Sequence, residues 1–367
     1  MLYKKQLTGS SVGLVFGSFS PLHRGHIDEI LRAKKENDGG TLVVLSGYAG
    51  DRGEQAGMPF IKRYRYVSEF FKNDPLVVVT FLPNRTEGLS EGTWDSWLVE
   101  VEKLWAANTA GSPQRNWYCS RAEYADLVYS KLGERVSQLD HSLIGVSASH
   151  LRQNPLRYWD YIAPTFRRFF TKNVLVMGAA SGGKTTLVED LGKLFAAPYS
   201  FEYARHYQLE ANIRDEDYDL LDYQNVLTGQ FQVNRNAIES PGNRGLALMD
   251  TDAMVTKCYA QLSAEDSASA LTPEDWETLK PMADSLIAKA RWDLILFVPP
   301  VSAGDYVRDG FRSETHNDDS YLTKISRLML AEVEAAGLSD RLVMLSGTGY
   351  YDRYEQAKSA LQALIKP

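Results

Sequence analysis

The segment GAASGGKTT, residues 178–186, combines residue types that can bind a nucleoside triphosphate. It matches the pattern GxxxxGK(S/T) after an apolar run and before a helical stretch, as a phosphate-binding loop requires. Glycines let successive backbone N–H groups converge on phosphate oxygens, and the helix N-terminus adds its positive dipole. We expect Lys184 to act catalytically between the β- and γ-phosphates, and Thr185 to bind Mg²⁺. The residues expected to contact ATP here are Gly178, Ser181, Gly182, Gly183, Lys184, Thr185 and Thr186.

Two carboxylates follow a later apolar run, in the segment LALMDTD. A phosphate-binding loop needs a carboxylate at the end of another strand, and Asp250 and Asp252 are the candidates. We expect Asp250 to hold Mg²⁺ with Thr185, and one of the two to act as general base on an acceptor hydroxyl. The alternative for either one is that it only caps the next helix.

Other charged groups in this half of the chain could contact the substrate or the nucleotide. EYAR supplies Glu202 and Arg205 at the end of a predicted strand. VRDGFR resembles a kinase lid, which would bring Arg308 and Arg312 to the nucleotide and Asp309 to the substrate. A solvated charged loop is the competing interpretation of that segment.

Two histidines lie near the N-terminus, in the stretch FGSFSPLHRGH. This stretch resembles the nucleotidyltransferase signature GxFxPxHxGH at every defined position: Gly17, Phe19, Pro21, His23, Gly25 and His26. The resemblance implies that both imidazoles lie at a helix start and donate hydrogen bonds to the α-phosphate region of ATP as charge builds in the transition state. Gly17, Phe19 and Gly25 would belong to the same ATP site. The alternative is that the histidines only cap the helix.

A second segment of that family, of the type ISGTxIR, contacts the triphosphate. This chain reads VSASHLR at 146–152, which keeps Ser147, a hydroxyl at Ser149 and Arg152. Ala148 replaces glycine and Ser149 replaces threonine, both mild departures. The resemblance implies that Ser147, Ser149 and Arg152 bind ATP.

The chain contains two successive series of short apolar runs, one in each half, and amphipathic stretches separate the runs. These runs could form the strands that position the candidate sites. The predicted strands are 12–17, 41–47, 76–82, 116–120 and 142–147 in the first half, and 173–178, 201–205, 246–252, 293–300 and 341–347 in the second. Continuous apolar runs followed by helices favour parallel strands buried on both faces. We expect two doubly wound α/β domains, a Rossmann-like nucleotidyltransferase domain at 1–155 and a P-loop kinase domain at 172–367. Residues 156–171 would link them, with the linker's aromatic residues buried.

The bulk composition narrows the class of protein. The chain has 367 residues, a formal net charge of −7 and 44% hydrophobic residues, which fits two ordinary cores and gives no sign of general nucleic-acid binding. No apolar run approaches the ~20 residues that cross a bilayer. Two distant cysteines indicate neither a zinc site nor a disulfide framework. We expect a soluble cytoplasmic protein without membrane insertion, and the sequence leaves a homo-oligomer open.

The pairing of these two domains resembles the bifunctional nicotinamide mononucleotide adenylyltransferase–ribosylnicotinamide kinase family of bacteria, over nearly the whole chain. The resemblance implies that the second domain phosphorylates nicotinamide riboside with ATP and Mg²⁺. The first domain would then join the mononucleotide (NMN) to AMP from a second ATP, giving NAD and pyrophosphate. Some members carry an N-terminal helix-turn-helix domain. Since this sequence begins almost at its first strand, we expect no repressor role.

The residues that hold nicotinamide are less clear from the sequence. Trp94 and Trp97 could stack on the ring, although one core face of a helix explains their spacing equally well. Arg63 and Arg65 could meet the mononucleotide phosphate, but an exposed basic helix face is the preferred interpretation.

Three functions remain open at this point. The first is the bifunctional enzyme, and the second is a working kinase whose first domain binds nucleotide with little transfer activity. The third is a nucleotide sensor without turnover. The sequence argues against a sensor, because a sensor does not need a complete set of phosphoryl-transfer groups, and this chain has Lys184, Thr185, Asp250 and Asp252.

Overall fold

A computed structural model describes residues 6–84, 91–119, 122–138, 145–300 and 319–366, without the side chains of 83, 84 and 91–93. The chain divides into two compact units, Met1–Phe170 and Thr171–Pro367. Within the described ranges, no helix has both the length and the apolar character that a membrane span needs.

The first unit is built on parallel strands whose apolar runs are buried on both faces. Its strands are β1 (Leu7–Thr8), β2 (Ser11–Gly17), β3 (Thr41–Tyr48), β4 (Val77–Asn84), β5 (Thr109–Ala110), β6 (Gln114–Cys119) and β7 (Val136–Gln138). Its helices are α1 (Arg24–Glu36), α2 (Arg52–Gln55), α3 (Phe60–Phe70), α4 (Glu91–Asn108), α5 (Ala122–Leu132), α6 (Ala148–Gln153) and α7 (Pro164–Phe170).

The strand order of this unit creates a binding crevice. The five-stranded sheet runs β4-β3-β2-β6-β7, all parallel, and β1 pairs separately with β5. Because the connections reverse direction between β2 and β6, a crevice opens beyond the carboxyl ends of these strands. The histidine segment leaves the sheet at Gly17, the last residue of β2.

The segment expected to link the two domains belongs to the first unit. Trp159 and Phe166 are buried in the same core as Val15 and Val43, on one face of the sheet. Burying these aromatic side chains gains more free energy than leaving them on a connector. The residues of this segment up to Phe170 therefore pack as part of the first unit, with Trp159 and Phe166 buried and the other aromatic side chains of the segment half-buried.

The second unit is also doubly wound. Its strands are β8 (Lys172–Gly178), β9 (Leu246–Asp250), β10 (Leu294–Val298) and β11 (Leu342–Met344). Its helices are α8 (Lys184–Phe195), α9 (Tyr203–Ala211), α10 (Leu220–Glu239), α11 (Ala253–Glu265), α12 (Pro273–Lys289), α13 (Asp319–Ala335) and α14 (Tyr350–Ile365).

The sheet of the second unit places the phosphate-binding loop at its own crevice. Its described strands run β11-β10-β8-β9 in parallel, so the connections reverse direction between β8 and β10. Alternate residues of β8 enter different cores, with Leu175 on one face and Val174 on the other. The predicted two-domain parallel α/β fold is confirmed.

Two predicted strands differ from the structure. FEYAR does not form a strand, because Glu202 is the N-cap of α9, which begins at Tyr203. An isolated bridge joins the sheet at Leu248 to Tyr199, two residues before FEYAR. The run 142–147 lies partly outside the described residues, and Gly145–Ser147 are not in a strand. The edge position of the first sheet is taken by β7, a three-residue strand too short to show a hydrophobic pattern.

Candidate functional sites

The phosphate-binding loop lies between β8 and α8, and its backbone requires glycine at two positions. Gly178 has φ 145°, and a Cβ added there would lie 2.2 Å from the carbonyl oxygen of Val298. Gly183 caps α8 with φ 81°, in the left-handed region. Ser181 also has a positive φ of 60°, which is uncommon for a residue with a side chain. The loop thus has a tightly determined shape that turns backbone N–H groups toward one point.

Two side chains of this loop have the arrangement that phosphoryl transfer needs. Lys184 is buried, and its Nζ donates a 2.9 Å hydrogen bond to the Ala179 carbonyl oxygen. Thr185 Oγ1 donates to Asp250 Oδ2 over 2.6 Å, which joins the start of α8 to the end of β9. Gly182 packs near Val298, and Thr186 is exposed on the first turn of α8.

Asp250 has the properties of a metal-binding carboxylate. It is fully buried, and its Oδ1 has no hydrogen-bond partner among the described residues. Burial and the nearby carboxylate of Glu202 raise its pKa, while Lys184 and the Thr185 hydrogen bond oppose that shift. A divalent cation would supply the missing partner and stabilise the ionised form. The hydroxyl of Thr185 and this carboxylate are hard oxygen donors, which fits Mg²⁺.

Asp252, the other carboxylate of DTD, is a helix cap. Its Oδ1 accepts from the backbone N–H groups of Met254 and Val255 at the start of α11, and its Oδ2 accepts from Trp292 Nε1 over 3.1 Å. Burial raises the pKa of Asp252 to about 7. Since both oxygens already have partners, the structure favours the capping alternative and argues against Asp252 as the catalytic base.

Glu202 and Arg205 line a cleft that also reaches Thr251, the residue after Asp250. Arg205 Nε donates to Glu202 Oε2 over 3.0 Å, and Glu202 is close enough to Asp250 to influence its pKa. The cleft is also lined by Asp215 and by several tyrosines, among them Tyr218, Tyr259 and Tyr321. Its described lining residues combine aromatic faces with two carboxylates and one guanidinium, a lining that suits a cationic aromatic ring with polar substituents.

Thr251, between the two aspartates, is a residue that the sequence reasoning missed. Its φ is 71°, strained for a β-branched side chain, and its buried Oγ1 has no hydrogen-bond partner within the described ranges. It also lines the cleft. Such strain persists where surrounding contacts fix it and tends to occur at functional sites. No local residue pattern predicts a left-handed backbone at a threonine. The one available signal was the position of Thr251 between two candidate site residues.

The two predicted histidines meet at the start of α1 in the first unit. Their rings stack with centroids 3.8 Å apart, and His23 Nδ1 accepts a 3.2 Å hydrogen bond from the Gly25 N–H. A neutral imidazole whose Nδ1 accepts carries its proton on Nε2, which can therefore donate. Capping and donation to phosphate are compatible, because each uses a different nitrogen. Phe19 is buried, contacts the His26 ring edge-on at 5.1 Å and packs over Gly17, which makes it a support for the pair.

The predicted triphosphate segment also reaches the histidine loop. Ser147 caps α6 by accepting from the His150 N–H, and Ser149 Oγ accepts from Arg152 over 3.0 Å. The other guanidinium nitrogen of Arg152 donates to the Ser20 carbonyl oxygen over 2.5 Å. Burial and the positive charge of Arg52 lower the pKa of Arg152. Cationic groups thus gather beside the two imidazoles, which favours an anion there.

Arg63 has a different role from the one expected. It is fully buried, pairs with Asp51 over 2.7 Å and donates to the Ser18 carbonyl oxygen over 2.9 Å. The expected exposed basic face is thus wrong for Arg63, whose charge is neutralised by a carboxylate on the preceding helix cap. Arg65 on the same helix is exposed.

The structure leaves the remaining predicted contacts as follows. Trp94 and Trp97 are buried in the core on one sheet face, and Trp97 Nε1 donates to Ser46 Oγ near the end of β3. This favours the core alternative, and their stacking on nicotinamide stays a prediction. The segment containing Arg308, Asp309 and Arg312 lies outside the described residues.

Comparison with known proteins agrees with a two-domain nucleotide-binding protein whose second domain is of the P-loop type. A family model described as an AAA domain matches residues 173–351. A crystal structure of NadR protein in complex with NR has a TM-score of 0.87 and 35% identity over 99% of this chain and 98% of that chain. A NadR structure with NAD and AMP-PNP has a TM-score of 0.84 and the same identity over 98% of each chain.

The comparisons also include a relative named a trifunctional NAD biosynthesis/regulator protein NadR, from Salmonella typhimurium. It is 29% identical over 83% of this chain and 72% of its own length. The chain belongs to the NadR family. It is an enzyme of NAD biosynthesis, as the sequence predicted.

Proposed function

We propose that the chain phosphorylates nicotinamide riboside in its second unit and adenylylates the resulting mononucleotide in its first. The observation that supports the proposal is that each unit has a helix start suited to phosphate, with Lys184 and Thr185 in one and the stacked His23 and His26 in the other. Relatives described in complex with NR, and with NAD and AMP-PNP, support these ligands.

The cleft lined by Glu202 and Thr251 is the proposed riboside site. Nicotinamide riboside carries a permanently cationic ring, which aromatic faces and carboxylates attract. Tyr218, Tyr259 and Tyr321 offer the faces, and Asp215 offers a negative charge. Glu202 lies in the same cleft and close to Asp250, so a riboside bound there has its 5′-hydroxyl between the proposed base and the transferred phosphoryl group.

The kinase step uses Glu202 as general base. Its carboxylate takes the 5′-hydroxyl proton while the oxygen attacks the γ-phosphorus and the bond to the β-phosphate oxygen breaks, which releases ADP. The ammonium group of Lys184 stabilises the negative charge that shifts from the γ-phosphate to the β-phosphate as the bond between them breaks. Mg²⁺ bound by Thr185 and Asp250 would neutralise the negative charge on those phosphates. Asp252 holds α11 in place and takes no proton in this scheme.

The adenylyl step needs no covalent nucleophile. The mononucleotide phosphate oxygen attacks the α-phosphorus of ATP, and pyrophosphate leaves. The Nε2–H of His23 and the ring of His26 donate to the α-phosphate region, where charge develops, and Arg152 with the start of α6 attracts the triphosphate. Because Ser149 keeps a hydroxyl bonded to Arg152, the replacement of threonine preserves this contact.

The experiment is product analysis of the purified protein with nicotinamide riboside and Mg·ATP. Formation of NAD and pyrophosphate supports both steps. Mononucleotide alone supports the kinase with a weakly active first unit. Absence of both products contradicts the proposal and leaves nucleotide sensing. Adding mononucleotide directly to a second sample tests the adenylyl step without the kinase.

A further inference from the structure

Three buried polar side chains connect Asp250 with Glu202 although none of them lies in a recognised motif. They are Gln230 and Asn234, one turn apart on α10, and Ser200 before α9. Each is at most 6% exposed, so none is a surface contact. Buried amides are costly unless fully hydrogen-bonded, which makes their partners informative.

Gln230 binds both segments that carry the kinase carboxylates. Its Nε2 lies 3.1 Å from the Phe201 carbonyl oxygen and 3.3 Å from that of Asp250, and its Oε1 accepts from the Tyr203 N–H over 2.7 Å. Phe201 and Tyr203 flank Glu202 on both sides. One side chain therefore fixes the backbone around the proposed base and at the metal carboxylate.

Asn234 and Ser200 extend this link to the strained turn. Asn234 Nδ2 donates to the Thr251 carbonyl oxygen over 3.1 Å, and its Oδ1 accepts from Ser200 Oγ over 2.6 Å and from Gln230 Nε2 over 3.0 Å. Ser200 Oγ in turn accepts from the Asp250 N–H. These bonds act on the peptide groups on both sides of the left-handed Thr251, whose conformation needs such support.

A glycine on the same helix gives independent evidence that the start of α9 is seated on α10. A Cβ on Gly229 would lie 2.1 Å from the ring of Tyr203. The ring therefore packs directly on the α10 backbone, next to the side chain that binds the Tyr203 N–H.

We infer that Ser200, Gln230 and Asn234 are positioning residues for phosphoryl transfer, which hold Glu202 and Asp250 at a fixed separation through their backbones. This rests on the proposed kinase function, since it assigns a purpose to the geometry of that site. None of the three side chains touches the transferred group in this scheme. Their loss should therefore lower the rate of the chemical step more than it weakens substrate binding.

The test compares Gln230→Leu with Gln232→Leu, the same change two residues along α10 at an exposed side chain. A displacement of the reacting groups by about 1 Å can cost roughly 10²-fold in rate. We expect kcat for riboside phosphorylation to fall by about that factor in Gln230→Leu, a larger effect than any rise in KM that comes from the place of Gln230 in the lining of the proposed riboside cleft. The Gln232→Leu variant should match the wild type, and conversion of added mononucleotide to NAD should stay normal in both.

A second variant covers the case in which Gln230→Leu does not fold. Ser200→Ala removes the one hydroxyl that bonds Asp250 N–H and Asn234, and we expect about a tenfold fall in kcat, while Ser200→Thr, which keeps the hydroxyl, should restore it. Normal kcat in folded Gln230→Leu or Ser200→Ala would overturn the inference. So would a loss seen only as raised KM or lowered melting temperature. A wild type without kinase activity would instead contradict the proposed function.

Discussion

Thr185 Oγ1 and Asp250 Oδ2, 65 residues apart in sequence, lie 2.6 Å apart in the structure. This hydrogen bond joins the helix after the phosphate-binding loop to the neighbouring strand end. It brings two hard oxygen donors to one point. The other oxygen of the same carboxylate, Asp250 Oδ1, is buried and has no hydrogen-bond partner in the described part of the chain. The fold itself therefore holds together the two oxygen donors that the proposed metal site needs.

Replacement of the loop lysine separates the two activities. Lys184→Ala removes the ammonium that would follow charge between the β- and γ-phosphates, and we expect riboside phosphorylation to fall by at least about 10². NAD formation from added mononucleotide should stay near the wild-type rate. The control is Lys193→Ala, an exposed lysine on the same helix. A parallel loss of both activities in a folded Lys184→Ala protein would show that the sites are not independent.

Removal of a histidine should have the reverse effect. His26→Ala removes a donor aimed at charge that develops during adenylyl transfer, and the expected loss is about 10²–10³ in turnover. Mononucleotide should accumulate when the variant is given riboside and ATP, so its kinase activity serves as the internal control. A melting curve tests a merely structural role for His26, which predicts a lower melting temperature with near-normal turnover; the cap itself belongs to His23.

The two carboxylate candidates for the kinase base can be distinguished by paired substitutions. Glu202→Gln should lower kcat for riboside by about 10²–10⁴, the usual contribution of a general base. Asp252→Asn places an amide donor against the Trp292 N–H, so we expect about 1–3 kcal/mol less stability with kcat largely retained. Steady-state kinetics and urea unfolding of both variants measure this. A large loss of kcat in Asp252→Asn, with kcat retained in Glu202→Gln, would instead indicate that Asp252 is the general base.

A buried carboxyl near the histidines should make stability depend on pH. Burial raises the pKa of Glu29 from 4.5 to about 7, and its Oε1 has no hydrogen-bond partner among the described residues. Because the folded state favours the protonated form, this contribution to stability is present below about pH 4.5. It is lost as the pH rises through about 7, at a cost of up to about 3 kcal/mol.

Glu29→Gln removes this titration. We expect the variant to be more stable than the wild type at pH 8 and to lose that advantage toward pH 5, as measured by urea unfolding across this range. Asp28→Asn, at the exposed neighbouring position, is the control and should keep the wild-type pH dependence. Parallel curves for wild type and Glu29→Gln would contradict the burial argument.

The parts of the fold and of the sites that depend on local sequence could be predicted. Strands β2, β3 and β8 lie within a residue or two of the predicted runs, because apolar runs that are buried on both faces leave a direct pattern. The phosphate-binding loop was equally readable, since its glycines are demanded by its own backbone. Its residues are contiguous, so the motif is visible in one short segment even though Val298 and Asp250 contact it from elsewhere in the chain.

The features that the sequence reasoning missed or left open depend on partners far apart in the sequence. Asp252 is a cap bonded to Trp292, which lies 40 residues further on, and Arg63 is buried because Asp51 neutralises it. FEYAR became a helix start because α10 offers Gln230 and Gly229 to Tyr203. Such contacts are set by packing between elements, which a propensity or a motif does not contain.

The hydrogen bond from Gly25 to His23 Nδ1 gives the two nitrogens of this ring separate tasks, which a single substitution can distinguish. Asparagine carries an acceptor oxygen at the position of Nδ1 and has no atom at the position of Nε2. His23→Asn should therefore keep the cap of α1 and its contribution to stability while it removes the proposed donor to the nucleotide. An unchanged free energy of unfolding together with impaired adenylyl transfer would separate the two tasks, whereas His23→Ala should lose both.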